Sequence, residues 1–511
     1  MGVEIFSIIG DYLFIHPKKI RIKGQFNFLC LSNHFSLRYT ESMTQLAPLA
    51  KRELPQALSL RKLIGPSFII LGVGLGSGEL ILWPYLSSNF GLGIIWAAIL
   101  GITFQFFINM EIERYTLVTG ESIFVGLTRK FGRLAPIWFI ATTLVPWMWP
   151  GIIASSATVF AAAAGIEYSR YVGIFLLLII GVVYSLGHVV YKTQENVQKA
   201  IILVGVPFVF LVTLFFAGRT DWQALLLGLT GRGDGYWFIP EGLPFATFLA
   251  ALAYAGAGGN LNLAQSLYVK EKGYGMGKYS GRITNILKGE HEDITLEGST
   301  FECTPENVST FKLWWRRINT EHALVFWITG AFTMVLLSLL AYSTVYGNPG
   351  VVTSINFVVL EASVIASKTF PFLGTFFLIM AGIMLFGTQF SVYGSNSRIS
   401  GENLVIVNSD KYKIEKLPKY FYLFLWLQLF AGILIFALGF TEPLGLVVTG
   451  AVLNAISMFI YTGLILWLNL TLLAKPLRPS IFRIFMVGLA FLFYGGFSIF
   501  TIFQNFQKLV S

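Results

Sequence analysis

The sequence predicts an all-α integral membrane protein, an inverted repeat of five plus five transmembrane helices with an eleventh appended. Three observations carry that prediction. First, of 511 residues, 55% are hydrophobic and only 12% charged, with mean hydropathy +0.69. A soluble domain carries about 25% charged residues. Second, eleven apolar stretches recur, each near the ~20 residues that cross a hydrocarbon core. Third, two of them are broken by glycine at corresponding places, and matched interruptions in two halves point to a binding site at the membrane midplane.

The first 62 residues read as an N-terminal cytoplasmic segment. The apolar run from Ile5 to Ile15 is interrupted by Asp11 and followed by Lys18, Lys19, Arg21 and Lys23. It lacks the small-residue site of a cleaved signal. An ordinary tail starts at Met43, so residues 1–42 read as a poorly ordered extension or a misassigned start.

The stretch 63–86, LIGPSFIILGVGLGSGELILWPYL, forms helix 1. Gly72, Gly74, Gly76 and Gly78 fall in its middle. Glycine loses the most backbone freedom on ordering, so four at alternate positions predict an interruption there. Glu79 follows at once, at the start of the second half-helix. An ionisable group inside a span is costly to bury and is a functional candidate by default. The competing reading is a carboxylate stabilised by the helix dipole near a watery mouth.

Helices 2 to 5 follow at about 92–114, 135–163, 170–188 and 198–217. Helix 3 carries Pro146 and Pro150, which should kink it, with Trp147 and Trp149 between. Residues 218–243 form an outer loop. Helix 6, about 244–270, contains AGAGGNLN, Ala255 to Asn262. Irregular backbone at that depth is tolerated only where protein buries it or a cavity is lined by it. Its carbonyls, with Asn260 and Asn262, are oxygen donors of the kind hard cations take. The glycines could equally serve close packing, and the amides tie helices together. Gln265 is a weaker candidate.

The segment 271–322 reads as the long inner loop and ends in Trp314, Trp315, Arg316 and Arg317, an aromatic–basic cluster expected at the lipid headgroups. Helices 7 to 11 follow at about 323–346, 370–394, 419–440, 444–470 and 482–504, the first repeat spanning 63–217, the second 244–470, and the eleventh helix 471–511. Helix 8 and its inner end carry Thr388, Gln389, Ser391, Tyr393, Ser395 and Asn396, a polar stripe that lines a path or packs on helix 1. Helix 10 adds Asn454 and Ser457.

Of 36 Lys and Arg, the outer segments hold only Arg170, Arg219, Arg232, Lys368 and Lys508. That asymmetry places the chain in the cell membrane with the N-terminus in the cytoplasm and the C-terminus outside. It also explains the net charge of +10 without a nucleic-acid partner. The lipid bilayer is the expected partner, and the sequence gives no oligomeric state. Cys30 and Cys303 both lie on the inner side, so no disulfide is expected. The glycosylation-type triplets at Asn307 and Asn469 sit on the inner side and at a membrane end, where neither is used. The glycines around Gly76 fail the dinucleotide spacing in every register, and no nucleophile or metalloprotease motif accompanies them, so the chain is not expected to be an enzyme or to carry a cofactor.

Helix 1, with Gly65 to Phe68 through Gly91, Leu117 to Ser122, Asn260 to Leu263, and Gly387 to Gly401, resembles the Nramp family of divalent metal transporters. The resemblance implies the LeuT-type fold and a divalent cation as substrate, taken up by a symporter. It departs at the site. The family's Asp-Pro-Gly-Asn is matched here by Gly76, Ser77, Gly78 and Glu79. Its helix 6 Met and His are matched by Ala257 and Gly259, and only Asn260 is kept. Its acidic helix 3 residues are absent, and its helix 8 Gln falls nearest Thr388, with Gln389 one position on. Losing a thioether removes the preference for softer metals, while oxygen-only sites suit magnesium, calcium or manganese.

The expected site is therefore centred on Glu79. Carbonyls near Leu75, Gly76 and Ala257 join Asn260 as cation ligands, and Ser77, Gly78, Asn262, Thr388 and Gln389 stand around the substrate. A carrier of an amino-acid-like organic solute in the same fold is the alternative, and a receptor with the loop 271–322 as its output is a third.

Overall fold

The computed structural model describes residues 46–63, 65–167, 170–186, 190–280, 295–347 and 354–510. The predicted extension 1–42 lies outside them. Nine helices among the described residues are long and apolar enough to cross a membrane. They are α1 (Pro66–Phe90), α2 (Leu92–Thr119), α3 (Leu134–Ala163), α5 (Val190–Phe216), α7 (Pro305–Thr344), α8 (Pro371–Val407), α9 (Ile414–Ala437), α10 (Pro443–Leu472) and α11 (Ile481–Phe503). The shorter apolar helix α4 (Arg170–Leu186) and the broken α6 (Phe245–Ala253 and Ala264–Lys272) take the two remaining places.

The helices differ in how deeply they are buried, and that order places the centre. In α1 94% of the apolar window is inside the protein, against 28% in α5 and 33% in α9 and α11. A helix apolar all round belongs in a core. The other spans wrap it and turn Leu and Phe outward, as lipid-facing helices do: Leu203, Leu211, Phe215, Phe430 and Leu492 are all exposed.

α1 corrects the first expectation. Its backbone is not unwound at the glycines. It continues through wide turns over Leu75–Leu82, of the i→i+5 kind, with the Trp83 N–H bonded to the Gly78 carbonyl. The physical reason is packing. A Cβ on Gly72 would strike Gln198 of α5, one on Gly74 would meet Gly256 of α6, and one on Gly76 would meet Thr388 of α8. The glycines let three helices close on α1, and the close packing holds the helix together.

α6 is unwound as expected. Helix stops at Ala253 and resumes at Ala264, with a single tight turn over Gly259–Leu261 between. Gly256, Gly258 and Gly259 have φ of +145°, +73° and +54°, conformations that residues with a Cβ rarely take. α3 is likewise interrupted between Trp147 and Gly151, where Pro150 falls.

The inner segment differs from expectation. The predicted loop 271–322 is helical from Pro305 onward, and α7 begins there. Trp314 is 1% exposed and its Nε1 donates to the Pro55 carbonyl at 2.7 Å, while Arg317 donates to the carbonyls of Ala57 and Leu58. Trp315 lies under the Arg114 guanidinium, 3.8 Å from the ring centre. Trp314 and Arg317 clamp the N-terminal tail, while Arg316 stays exposed. The tail is held again where Ala50–Lys51 pairs in parallel with Ser299–Thr300.

On the opposite face, a short helix (Arg219–Gly228) and a hairpin (Arg232–Gly233 with Tyr236–Trp237) follow α5. Asp234 ties that hairpin down, accepting from the Gly93 N–H and the Tyr342 hydroxyl. A further helix, Asn356–Lys368, lies between α7 and α8.

Candidate functional site

The break in α6 frees backbone that must find partners or a ligand. Gln105 of α2 spans it, accepting from the Gly258 N–H at 3.2 Å and donating to the Ala253 carbonyl at 3.0 Å. Tyr461 of α10 donates to the Gly259 carbonyl at 2.9 Å and accepts from Asn262 Nδ2 at 3.0 Å. Asn260 reaches α3, where its Nδ2 donates to Thr142 and Thr143 at 2.8 and 3.0 Å. Asn454 Nδ2 donates to the Tyr254 hydroxyl at 3.0 Å, and the Tyr254 ring stacks on Trp147, with centroids 4.9 Å apart. The carbonyls of Tyr254, Ala255, Gly256 and Ala257 accept no backbone or side-chain hydrogen bond among the described residues.

The break is thus framed by α2, α3 and α10, and it faces α1 through Gly78. Ser77 Oγ beside Gly78, Asn260 Oδ1 and Asn262 Oδ1 in the turn, and Asn454 Oδ1 against Gly259 are buried without a hydrogen-bond partner, as are both polar atoms of Gln389 on α8. Buried polar atoms are nearly always paired, so these atoms are the candidate ligand contacts.

Thr388 does something else. Its Oγ1 accepts from the Gly76 N–H and donates to the Gly72 carbonyl, both at 2.8 Å. It braces the wide turns of α1. Ser391, Ser395 and Asn396 of the α8 stripe are also used structurally. Gln194 and Gln198 of α5 donate to Ser391 and its neighbours, and Asn396 donates to Gln428 of α9 at 2.9 Å.

Glu79 is fully buried and neither carboxylate oxygen has a partner. It does not begin a half-helix, because α1 is continuous, so stabilisation by a helix N-terminus does not apply. Its side chain packs toward α7: a Cβ on Gly330 would lie 3.2 Å from Glu79 Oε1. No described contact joins that carboxylate to Asn260, which is bound to α3. The expected set of Glu79, Leu75, Gly76, Ala257 and Asn260 draws on two different kinds of backbone. Leu75 and Gly76 belong to unbroken helix, and Ala257 and Asn260 belong to the break. Among the described residues no three His, Cys, Asp or Glu side chains are grouped so as to hold a metal ion.

A second buried polar centre lies toward the inner ends of α1, α2, α6 and α7. Gln265 donates to Glu113 at 2.6 Å, and His322 Nδ1 lies 3.5 Å from Glu113 and 2.8 Å from Ser67 Oγ. Ser67 donates to Glu321 at 2.6 Å. The sequence reading missed Glu113, Glu321 and His322, which sit at predicted span ends where charge is ordinary. It also missed Gln105 and Tyr461, although an amide inside an apolar span was a visible signal at Gln105.

A core helix sheathed by lipid-facing spans, a sixth helix unwound at mid-length and an eleventh at the end define the LeuT-type fold. No protein-family model and no curated protein matches this chain in sequence. Solved structures match in fold. A manganese transporter from Eremococcus coleocola, as a histidine-to-alanine mutant, superposes with a TM-score of 0.60 at 12% identity over 89% of each chain. The same transporter in complex with an aromatic bis-isothiourea substituted compound gives 0.60 at 11% identity, covering 90% of this chain and 91% of that one. Mhp1, a nucleobase-cation-symport-1 family transporter in a closed conformation with bromovinylhydantoin bound, gives 0.53 at 13% identity, covering 86% and 84%.

Proposed function

We propose that the chain is a secondary-active transporter working by alternating access, with a small divalent cation as substrate. The observation that carries this reading is Glu79, a carboxylate buried inside the membrane with neither oxygen satisfied. A buried charge left unpaired is costly, so it calls for a cation or a proton. The Tyr254 carbonyl meets α1 at Gly78, one residue from Glu79, and the Gly256 carbonyl meets it at Gly74; oxygen donors of this kind suit hard cations that keep part of their water. The fold shared with a manganese transporter supports the same reading. The N-terminus is placed in the cytoplasm and the C-terminus outside, on the charge asymmetry of the loops.

One observation favours a second reading, a small organic solute. The break itself carries amides and carbonyls but no carboxylate, and the Trp147–Tyr254 stack beside it offers an aromatic wall. The fold shared with Mhp1 supports this reading in turn.

A thermal-shift screen of the purified protein against Mg, Ca, Mn, Fe and Zn salts and a panel of amino acids and nucleobases separates the two. A ligand at a hundred times its dissociation constant adds about 2.7 kcal/mol of stability. A metal that stabilises the wild type and not Glu79→Gln supports the cation carrier. Stabilisation by an organic solute alone replaces it with the second reading.

A further inference from the structure

At the inner ends of α2 and α10 the chain encloses a cavity of about 370 Å³. Cavities of about 300–1,000 Å³ hold small organic groups. The strap that pairs Ala50–Lys51 with Ser299–Thr300 supplies Leu49 and Phe301 to its wall. Val118 of α2 and Leu472, Leu473 and Leu477 at the end of α10 supply most of the rest.

That wall favours an apolar occupant. A polar ligand is oriented in such a cavity by a few free donors and acceptors. Here most polar side chains of the wall are already engaged. The Tyr115 hydroxyl donates to Glu121 at 2.8 Å, and Thr119 donates to the Tyr115 carbonyl at 2.8 Å. The Arg129 guanidinium holds Glu121 and the carbonyls of Leu46 and Ala47. Thr300 and the exposed Cys303 are the remaining polar members. An aliphatic wall gains more by burying hydrocarbon than by facing water.

The setting names the hydrocarbon. α10 ends at Leu472, and Trp467 and Leu472 on it are exposed, as is Phe131 at the end of the short helix Ile123–Phe131. The Trp467 and Phe131 rings pack with centroids 5.6 Å apart, and tryptophan marks the level where hydrocarbon meets headgroups. Two lysines stand exposed at the same level: Lys130 follows Arg129 and Lys475 follows Ala474, both residues of the wall. Neither lysine joins an ion pair among the described residues. The neighbouring carboxylates are spent, since Glu302 pairs with Lys51 and Glu121 with Arg129. A lysine lays its stem on apolar surface and sets its ammonium among headgroups, where it attracts anionic lipid.

We propose that this cavity is a lipid site, which takes an acyl chain of an anionic phospholipid from the cytoplasmic leaflet while Lys130 and Lys475 hold the headgroup phosphate. The leaflet follows from the charge asymmetry of the loops. No residue of the wall belongs to the break in α6, and the site does not depend on what is transported. One bound lipid touches the N-terminal strap, α2 and the end of α10 together, and so ties the three.

Cys303 reads the cavity from within. The test uses the full-length protein with Cys30→Ser, which leaves Cys303 as the sole thiol. It is placed in detergent, in nanodiscs of phosphatidylcholine, and in nanodiscs of phosphatidylcholine mixed with phosphatidylglycerol. The rate of labelling by a neutral maleimide is divided by the rate at a Ser480→Cys reporter in a chain lacking both native cysteines. Ser480 is exposed near the same boundary and outside the wall, so the ratio cancels the effect of surface potential. The expected ratio falls several-fold when phosphatidylglycerol is present. The fall is expected to vanish in Ala474→Trp, where an exposed alanine of the wall gives way to a ring that fills the cavity, and in the double variant Lys130→Gln, Lys475→Gln. A ratio that is the same in both membranes overturns the proposal. So does a fall that survives in Ala474→Trp, which places the lipid elsewhere. Protection already complete in detergent and unchanged by either lipid assigns the cavity to a segment of the chain itself and overturns it as well.

Discussion

Gly78 of α1 and Tyr254 of α6 meet backbone to backbone: a Cβ on Gly78 would lie 1.7 Å from the Tyr254 carbonyl oxygen. This contact joins the two helices that frame the candidate site, and only hydrogen at position 78 permits it. Tyr254 in turn is held by Trp147 and Asn454, so α1, α3, α6 and α10 are registered through one carbonyl and one ring.

Gly78→Ala is expected to destabilise the protein by about 1–3 kcal/mol through overpacking against rigid backbone. Gly488→Ala, where no atom lies within 4 Å of the added carbon, is the control and is expected to be neutral or slightly stabilising. Melting of both variants in detergent measures the difference. Equal melting temperatures would remove the close approach as a structural constraint.

Thr388→Val keeps the shape of the side chain and deletes the two bonds that brace α1. Leaving the Gly76 N–H and the Gly72 carbonyl without their partner costs about 1–3 kcal/mol. Thr388→Ser restores the hydroxyl and is expected to recover most of it. Hydrogen exchange across residues 72–80 reads the same event locally, with faster exchange in the valine variant only.

Tyr461→Phe removes one hydroxyl that serves both the Gly259 carbonyl and Asn262. The expected cost is again about 1–3 kcal/mol, because two buried groups lose their partner at once. The variant is expected to weaken ligand-induced stabilisation beyond this, since the turn Gly259–Leu261 shapes the break. An unchanged ligand shift would place the ligand away from that turn.

Trp314→Phe retains the ring's bulk in part and loses the bond to the Pro55 carbonyl. The clamp on residues 50–58 is expected to loosen, with protease cleavage in that tail rising several-fold while the spanning helices stay protected. Limited proteolysis followed by mass spectrometry reads this directly. A tail cut no faster than in the wild type would return Trp314 to the membrane surface.

Glu79→Gln keeps the volume and removes the charge. The folded protein is expected to be as stable as the wild type or more so, because a buried unpaired carboxylate is unfavourable. A metal-induced shift is expected to disappear with it. A metal shift retained in full would take Glu79 out of the site.

By itself the sequence determined the membrane setting, the recurrence of apolar spans, and the interruption in helix 6. Those properties follow from composition and local backbone chemistry: apolar length sets a span, and Gly256, Gly258 and Gly259 permit the positive φ values the break in α6 requires. The tertiary structure alone decided what the other glycines do. Gly72 through Gly78 have the same local freedom, yet α5, α6 and α8 close on them, and Thr388 ties the chain back into wide helical turns. It also decided where carboxylates point. Glu79 stands one residue from the contact with α6, but the wide turns carry its side chain to α7. Glu361 sits in the segment between helices 7 and 8, and packing buries it. A side chain's direction depends on helical phase and on neighbours distant in sequence, and one sequence carries neither.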